Sequence, residues 1–113
     1  MEDTTCAQNT IELCNEKNAQ VSVRVTAFLE NGKLTISGID SGNYPSEIWG
    51  DDDYEYWYDF DEQNTKRLLE SINAAADNPL KVIKDQFGGM DGCSRLREFC
   101  ESNGITYRFS SWI

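Results

Sequence analysis

The sequence predicts an α+β domain: an antiparallel sheet of about four strands, in the order β-β-β-α-α-α-β, with helices on one face. Three observations carry this expectation. Residues from Val21 to Leu29 alternate apolar and polar with a period of two, the mark of a half-buried strand. Asn31-Gly32 follows at once, the pair that best fits a two-residue hairpin turn. From Asp61 onward the apolar spacing changes to that of helices, punctuated by proline and glycine.

Taken in order, Val21, Val23, Val25, Ala27 and Leu29 fall on one face of the first long strand, with Ser22, Arg24, Thr26 and Phe28 on the other. Upstream, TIELC is expected to add a short edge strand, and the stretch before about Thr10 to be loosely ordered. Leu34 to Ile39 is the returning strand of the hairpin. Ser41 to Gly50 reads as a connection with a short helical turn, where Pro45 suits a first helical position and Gly50 a stop. Tyr54 to Phe60 alternates again. Tyr54, Tyr56, Tyr58 and Phe60 share one face, and Glu55, Trp57 and Asp59 the other.

Asp61 is a suitable N-cap for a first helix with the stripe Leu68, Leu69, Ile72 and Ala76. Asp77-Asn78-Pro79 ends it and starts a second, because the residue before proline resists helical angles. Leu80, Val82, Ile83 and Phe87 line that helix, and Gly88-Gly89 stops it. Asp91 is placed to cap a third, carrying Leu96, Phe99 and Cys100 and ending at Asn103-Gly104. Ile105, Tyr107 and Phe109 alternate in a last strand that runs to Trp112. The core face takes the valines and the tyrosines. The opposite face carries Arg24, Thr35, Ser37, Glu55, Trp57, Asp59, Thr106 and Arg108, and is expected to be mostly polar and to face water.

The 113 residues suit a single domain spanning 1–113. Twenty acids against ten bases give a net charge of -10. Such a balance disfavours direct contact with nucleic acid or an anionic membrane. MEDTTCAQNT has neither a basic n-region nor an apolar h-region, and no apolar run is long enough to span a bilayer, so a cytoplasmic, soluble protein is expected.

Catalytic chemistry finds few candidates. The chain has no histidine, and no phosphate-binding loop, dinucleotide fingerprint or nucleophile elbow is present. No enzyme, no cofactor and no metal site is therefore expected. Cys93 and Cys100, if they share a helix, are separated by about 10 Å along its axis, too far for one disulfide or one zinc ion. They read as small apolar helix residues beside Cys6 and Cys14, all reduced.

The chemistry concentrates in DDDYEYWYDFDE, residues 51–62, made only of acids and aromatics. Between Leu34 and Thr65 there are nine acids and no lysine or arginine. On an extended strand Glu55 and Asp59 stand about 13 Å apart on one face. That comb of carboxylates approaches the reach of successive phosphates along a nucleic-acid strand, so a basic cleft made for nucleic acid would accept it as a mimic. The partner-binding candidates are Asp51, Asp52, Asp53, Glu55, Trp57, Asp59 and Asp61. Trp57 has two readings: an interface anchor ringed by polar groups, or a ring stacked on Arg24 or Arg108 within the monomer. The Asp51-Asp52-Asp53 run also has two, a contact site or a solvated loop.

The block from Leu34 to Leu69, LTISGID…WGDDDYEYWYDFDEQNTKRLL, together with FCESNGITYRF, resembles a segment of small, uncharacterised acidic bacterial proteins. By size, charge and want of catalytic motifs, the chain more loosely resembles toxin-immunity proteins and phage anti-defence inhibitors such as anti-CRISPR proteins. The resemblance implies a non-catalytic inhibitor, monomeric or weakly dimeric, that binds a basic nuclease, toxin or CRISPR effector. Two alternatives remain: a self-associating interaction module using the open sheet face or an edge strand, and a small-ligand domain or enzyme with a cleft between sheet and helices.

Overall fold

The computed structural model describes residues 9–17, 21–42, 53–74 and 78–112. Five strands and three helices follow in the order β1 (Thr10–Lys17), β2 (Val21–Glu30), β3 (Lys33–Gly42), β4 (Asp53–Asp59), α1 (Glu62–Ser71), α2 (Pro79–Phe87), α3 (Gly92–Asn103) and β5 (Arg108–Trp112). The strands form one antiparallel sheet in the order β1-β2-β3-β4-β5, so spatial order equals chain order. The three helices are inserted between the neighbours β4 and β5 and pack on one face of the sheet.

The hairpin forms as the sequence predicts. Asn31 and Gly32 take φ of 56° and 77°, the left-handed pair that matches the twist of the strands they join. Val23, Val25 and Ala27 of β2, Leu34 and Ile36 of β3, and Tyr56 and Tyr58 of β4 enter the core. They meet Leu68 of α1, Leu80, Ile83 and Phe87 of α2, and Leu96 and Cys100 of α3. Thr65 is the one buried polar residue of α1. Its hydroxyl accepts the Leu34 N–H at 3.0 Å and donates to the Phe60 carbonyl at 3.4 Å, tying the helix to the ends of β3 and β4.

The edge strand expected from TIELC is eight residues long, which makes five strands rather than four. A β-bulge explains its difference from simple alternation. The register against β2 shifts between Glu12 and Cys14, so the adjacent Leu13 and Cys14 both reach the core. The Leu13 carbonyl, released from the ladder, accepts the Gly89 N–H at 3.0 Å. That bond fixes the turn after α2 onto β1. Gly88 is needed there, since a Cβ would lie 2.6 Å from the Lys84 carbonyl and 3.1 Å from that of Leu13.

The last strand is shorter than the alternation suggests. Ile105 is buried, but its N–H returns to the Cys100 carbonyl at 2.9 Å, and Gly104 at φ 68° turns the chain out of α3. β5 therefore starts at Arg108. Asp91 precedes α3 without capping it through its side chain, and pairs with Arg95 instead. The helical turn expected near Pro45, and Ala76 of the first helical stripe, lie outside the described residues.

Candidate functional site

Period two divides β4 between two tasks. Tyr54, Tyr56, Tyr58 and the following Phe60 turn toward the helices, while Glu55, Trp57 and Asp59 turn to the face that no described element covers. Two of the tyrosine hydroxyls are tied down. Tyr56 donates to Asp40 Oδ1 at 3.0 Å, and Arg97 of α3 donates to the Tyr58 oxygen at 2.7 Å. The rings pack edge to face along the strand, and Tyr58 extends the series to Tyr107 and Phe109. The tyrosines and Phe60 of the acidic stretch thus serve the core, while Trp57 and the acids beside it do not enter it.

Cross-strand register sets the layout of the open face. One row reads Phe28, Thr35, Asp59, Arg108; the next Thr26, Ser37, Trp57, Ser110; the third Arg24, Ile39, Glu55, Trp112. Trp57 is half-buried, flanked by the small Ser37 and Ser110. Arg24 is two strands away in another row, and Arg108 lies diagonal to Trp57, directly opposite Asp59. The Asp59 carboxylate accepts a hydrogen bond from Thr35 Oγ1 at 2.8 Å, which fixes its orientation. Among the described residues Arg24 and Arg108 form no ion pair.

This face is more apolar than the sequence led us to expect. Phe28 is 40 % exposed and Trp112 70 %, and Ile39 and Trp57 are half-buried between them. The face thus sets aromatic and aliphatic side chains among the carboxylates of Glu55 and Asp59 and the guanidiniums of Arg24 and Arg108. Ile39 and Trp112 were missed as face residues because each ends a strand as the alternation reads it, where there are the fewest repeats to count, although β3 itself runs on to Gly42.

The remaining candidates divide. Asp61 sits at the start of α1, where its carboxylate accepts the Asn64 N–H at 2.8 Å and the Asn64 side-chain amide at 3.0 Å. The Asn64 N–H holds that carboxyl below the usual carboxylate range. The sequence placed Asp61 as both cap and partner-binding acid, and the cap is the role its contacts display. Asp59 and Asp61 nevertheless border one surface groove of about 420 Å³, together with Lys33 and Arg108. Asp53 opens β4 by its backbone, while its side chain, Asp51 and Asp52 lie outside the described residues.

Among the described residues no group of three or more His, Cys, Asp or Glu side chains is placed to hold a metal ion. Burial pushes the thiols of Cys14 and Cys93 up, and that of Cys100 up to about 11, so all three rest as neutral thiols. No helix among the described residues is long and apolar enough to cross a membrane.

An α+β domain with a five-stranded antiparallel sheet, helices on one face and an open aromatic and acidic face is the class that fold and site define. Comparison with known proteins found no matching family model, curated protein or solved structure.

Proposed function

We propose that the protein is a non-catalytic binding protein that presents its open sheet face to a basic protein partner, and that it inhibits this partner by occupying the surface that would hold nucleic acid. The observation that carries the reading is the β4 row. Glu55, Trp57 and Asp59 stand together on a face that no described helix or strand covers, while the tyrosines between them complete the core. Carboxylates steer a basic surface into place and set its orientation, and an aromatic ring between them supplies apolar contact that charge alone lacks. The net charge of -10 extends that attraction beyond the contact itself. Nucleases of toxin systems and CRISPR effectors have the basic clefts this chemistry suits.

The test compares the parent with a variant carrying E55Q, W57A and D59N as baits in bacterial lysate. The parent is expected to retain a basic, nucleic-acid-handling protein at low salt. It should release that protein at high salt and on addition of competing DNA or RNA, and the variant should not retain it. Purified, the retained protein should lose its nucleic-acid binding or cleavage when the parent is added in equal amount. Equal inhibition by the variant and the parent would sink the proposal.

A further inference from the structure

The two edges of the sheet are built differently. β1 carries the devices that keep an edge from pairing: a bulge at Leu13, the charged Glu12, Glu16 and Lys17, and the Gly89 N–H bonded onto it. β5, among the described residues, has no bulge and no cross-bond from a turn, and its one charged residue is Arg108 at its start. It is Arg108-Phe109-Ser110-Ser111-Trp112, without lysine, proline or bulge, and all five residues are exposed. Among the described residues it pairs with β4 alone. It is also the one strand of the five with no carboxylate, in a chain of net charge -10. Like-charge repulsion between two copies is therefore weakest along this edge.

We propose that β5 is a dimerisation edge, pairing antiparallel with β5 of a second copy about a twofold axis at Ser110. The occupant follows from self-complementarity. With Ser110 opposite Ser110 of the second copy, Arg108 falls opposite Trp112 of the second copy, and the reverse pair forms by symmetry. Both residues point to the open face, so each guanidinium lies beside an indole, a favourable cation–π pair. Phe109, 48 % exposed, falls opposite Ser111 of the second copy on the helix side, where a small residue leaves the ring room. No like charges meet anywhere along the seam. Trp112, the most exposed of the large apolar side chains described, is the one that gains a partner.

The result is a ten-stranded sheet with the two open faces on the same side. Trp57 of one copy and Trp57 of the other stand three inter-strand steps apart, about 14 Å. Arg108, opposite Asp59 on its own sheet, then bridges to the aromatic edge of the second copy. The proposal does not rest on the identity of any partner. Loss of the dimer would leave the open face intact, and loss of partner binding would leave the seam intact.

The test is sedimentation equilibrium of the full chain from micromolar to about millimolar, a range that brackets an interface of this small size. The parent is expected to move from the mass of one chain to that of two. S110K puts two lysines face to face on the axis while its new charge lies among Glu55 and Asp59 in the monomer. It should fold normally by circular dichroism and weaken the dimer at least about tenfold. W112A, which removes both Arg–Trp pairs, should weaken it by about as much. Hydrogen exchange should show β5 amides gaining protection with concentration in the parent and not in S110K. A parent that keeps the mass of one chain throughout overturns the proposal, and so does a dimer that S110K and W112A leave unchanged.

Discussion

Gly38 and Tyr56 are direct cross-strand partners, and the Tyr56 ring lies over the glycine. A Cβ at position 38 would stand 2.3 Å from Cε1 and Cζ of that ring and 2.5 Å from its hydroxyl oxygen. An aromatic covering a strand glycine is a recognised way to offset the missing side chain. G38A forces the ring to retreat by about 1 Å to reach ordinary contact distance. It has little freedom to do so, because Tyr56 is 7 % exposed and lies between Tyr54 and Tyr58, with ring centroids at 5.5 and 6.1 Å. Overpacking of this kind costs about 1–3 kcal/mol. Losing the Tyr56–Asp40 hydrogen bond adds about 1 kcal/mol. Alanine gives back about 0.5–1 kcal/mol through a less flexible unfolded chain. The net loss is about 1–3.5 kcal/mol, or about 5–15 °C in Tm for a chain of this length. Urea denaturation of the parent, G38A, Y56A and the double variant forms a cycle. In the Y56A background G38A should be neutral or mildly stabilising. If G38A costs the same with and without the ring, the strain does not come from Tyr56 and the reasoning fails.

Other predictions concern the core and the caps. T65V keeps the shape of Thr65 but removes the oxygen that serves Leu34 and Phe60, and should cost about 1–3 kcal/mol in denaturation, while T65S should cost well under that. Alkaline pH should destabilise the fold. Burial pushes the Cys100 thiol up to about 11 from its ordinary 9.0, so the folded chain holds a proton that the unfolded chain releases first. The stability this contributes is present below about pH 9 and lost between about pH 9 and pH 11, about 3 kcal/mol in all. The loss should shrink in C100A; Tyr56, Tyr58 and Cys93, raised by burial, act in the same direction. D61A should lower the Tm by removing the acceptor for the Asn64 N–H, and D61S, which can cap as well, should restore most of it. A Tm unchanged in D61A would show that the cap is not what holds the start of α1.

Much of the fold was legible because its signals are local. Asn31-Gly32 needs only its own two residues to specify a left-handed turn, and the valine alternation of β2 needs no neighbour to be read. The bulge in β1 was not legible. Leu13 and Cys14 are both buried because the turn after α2 draws the Leu13 carbonyl out of the ladder, and that turn lies about 75 residues further along the chain. Ile105 misled for a related reason. It alternates with Tyr107 and Phe109, yet its N–H belongs to the end of α3, and only hydrogen bonding separates a helix exit from a strand entry. Alternation put Glu55, Trp57 and Asp59 on the outer face of β4, in agreement with the register. What it missed was their surroundings, because rows across a sheet are set by register, and the helices separating β4 from β5 hide that Trp112 stands opposite Glu55.

The division of labour on β4 also bears on how far function can be altered without unfolding the chain. Its inward residues are tied to distant elements: Tyr56 to Asp40 of β3, and Tyr58 to Arg97 of α3. Its outward residues have fewer ties. Among the named hydrogen bonds only Asp59 has one, from Thr35, and asparagine at that position still presents an oxygen to accept it. An acid on the open face is therefore under little constraint from the core. So dense a row of acids and aromatics carries a cost, because six acids within the eleven residues from 51 to 61 repel one another. Folding offsets that repulsion at Asp61, which caps α1, and at Asp59, which accepts from Thr35, but not at Glu55, where serine or threonine would serve the outer face of an antiparallel strand as well. A basic surface brought against the sheet would relieve the repulsion and cover Trp57 in the same step. That double relief is the physical reason to read the row as a binding surface.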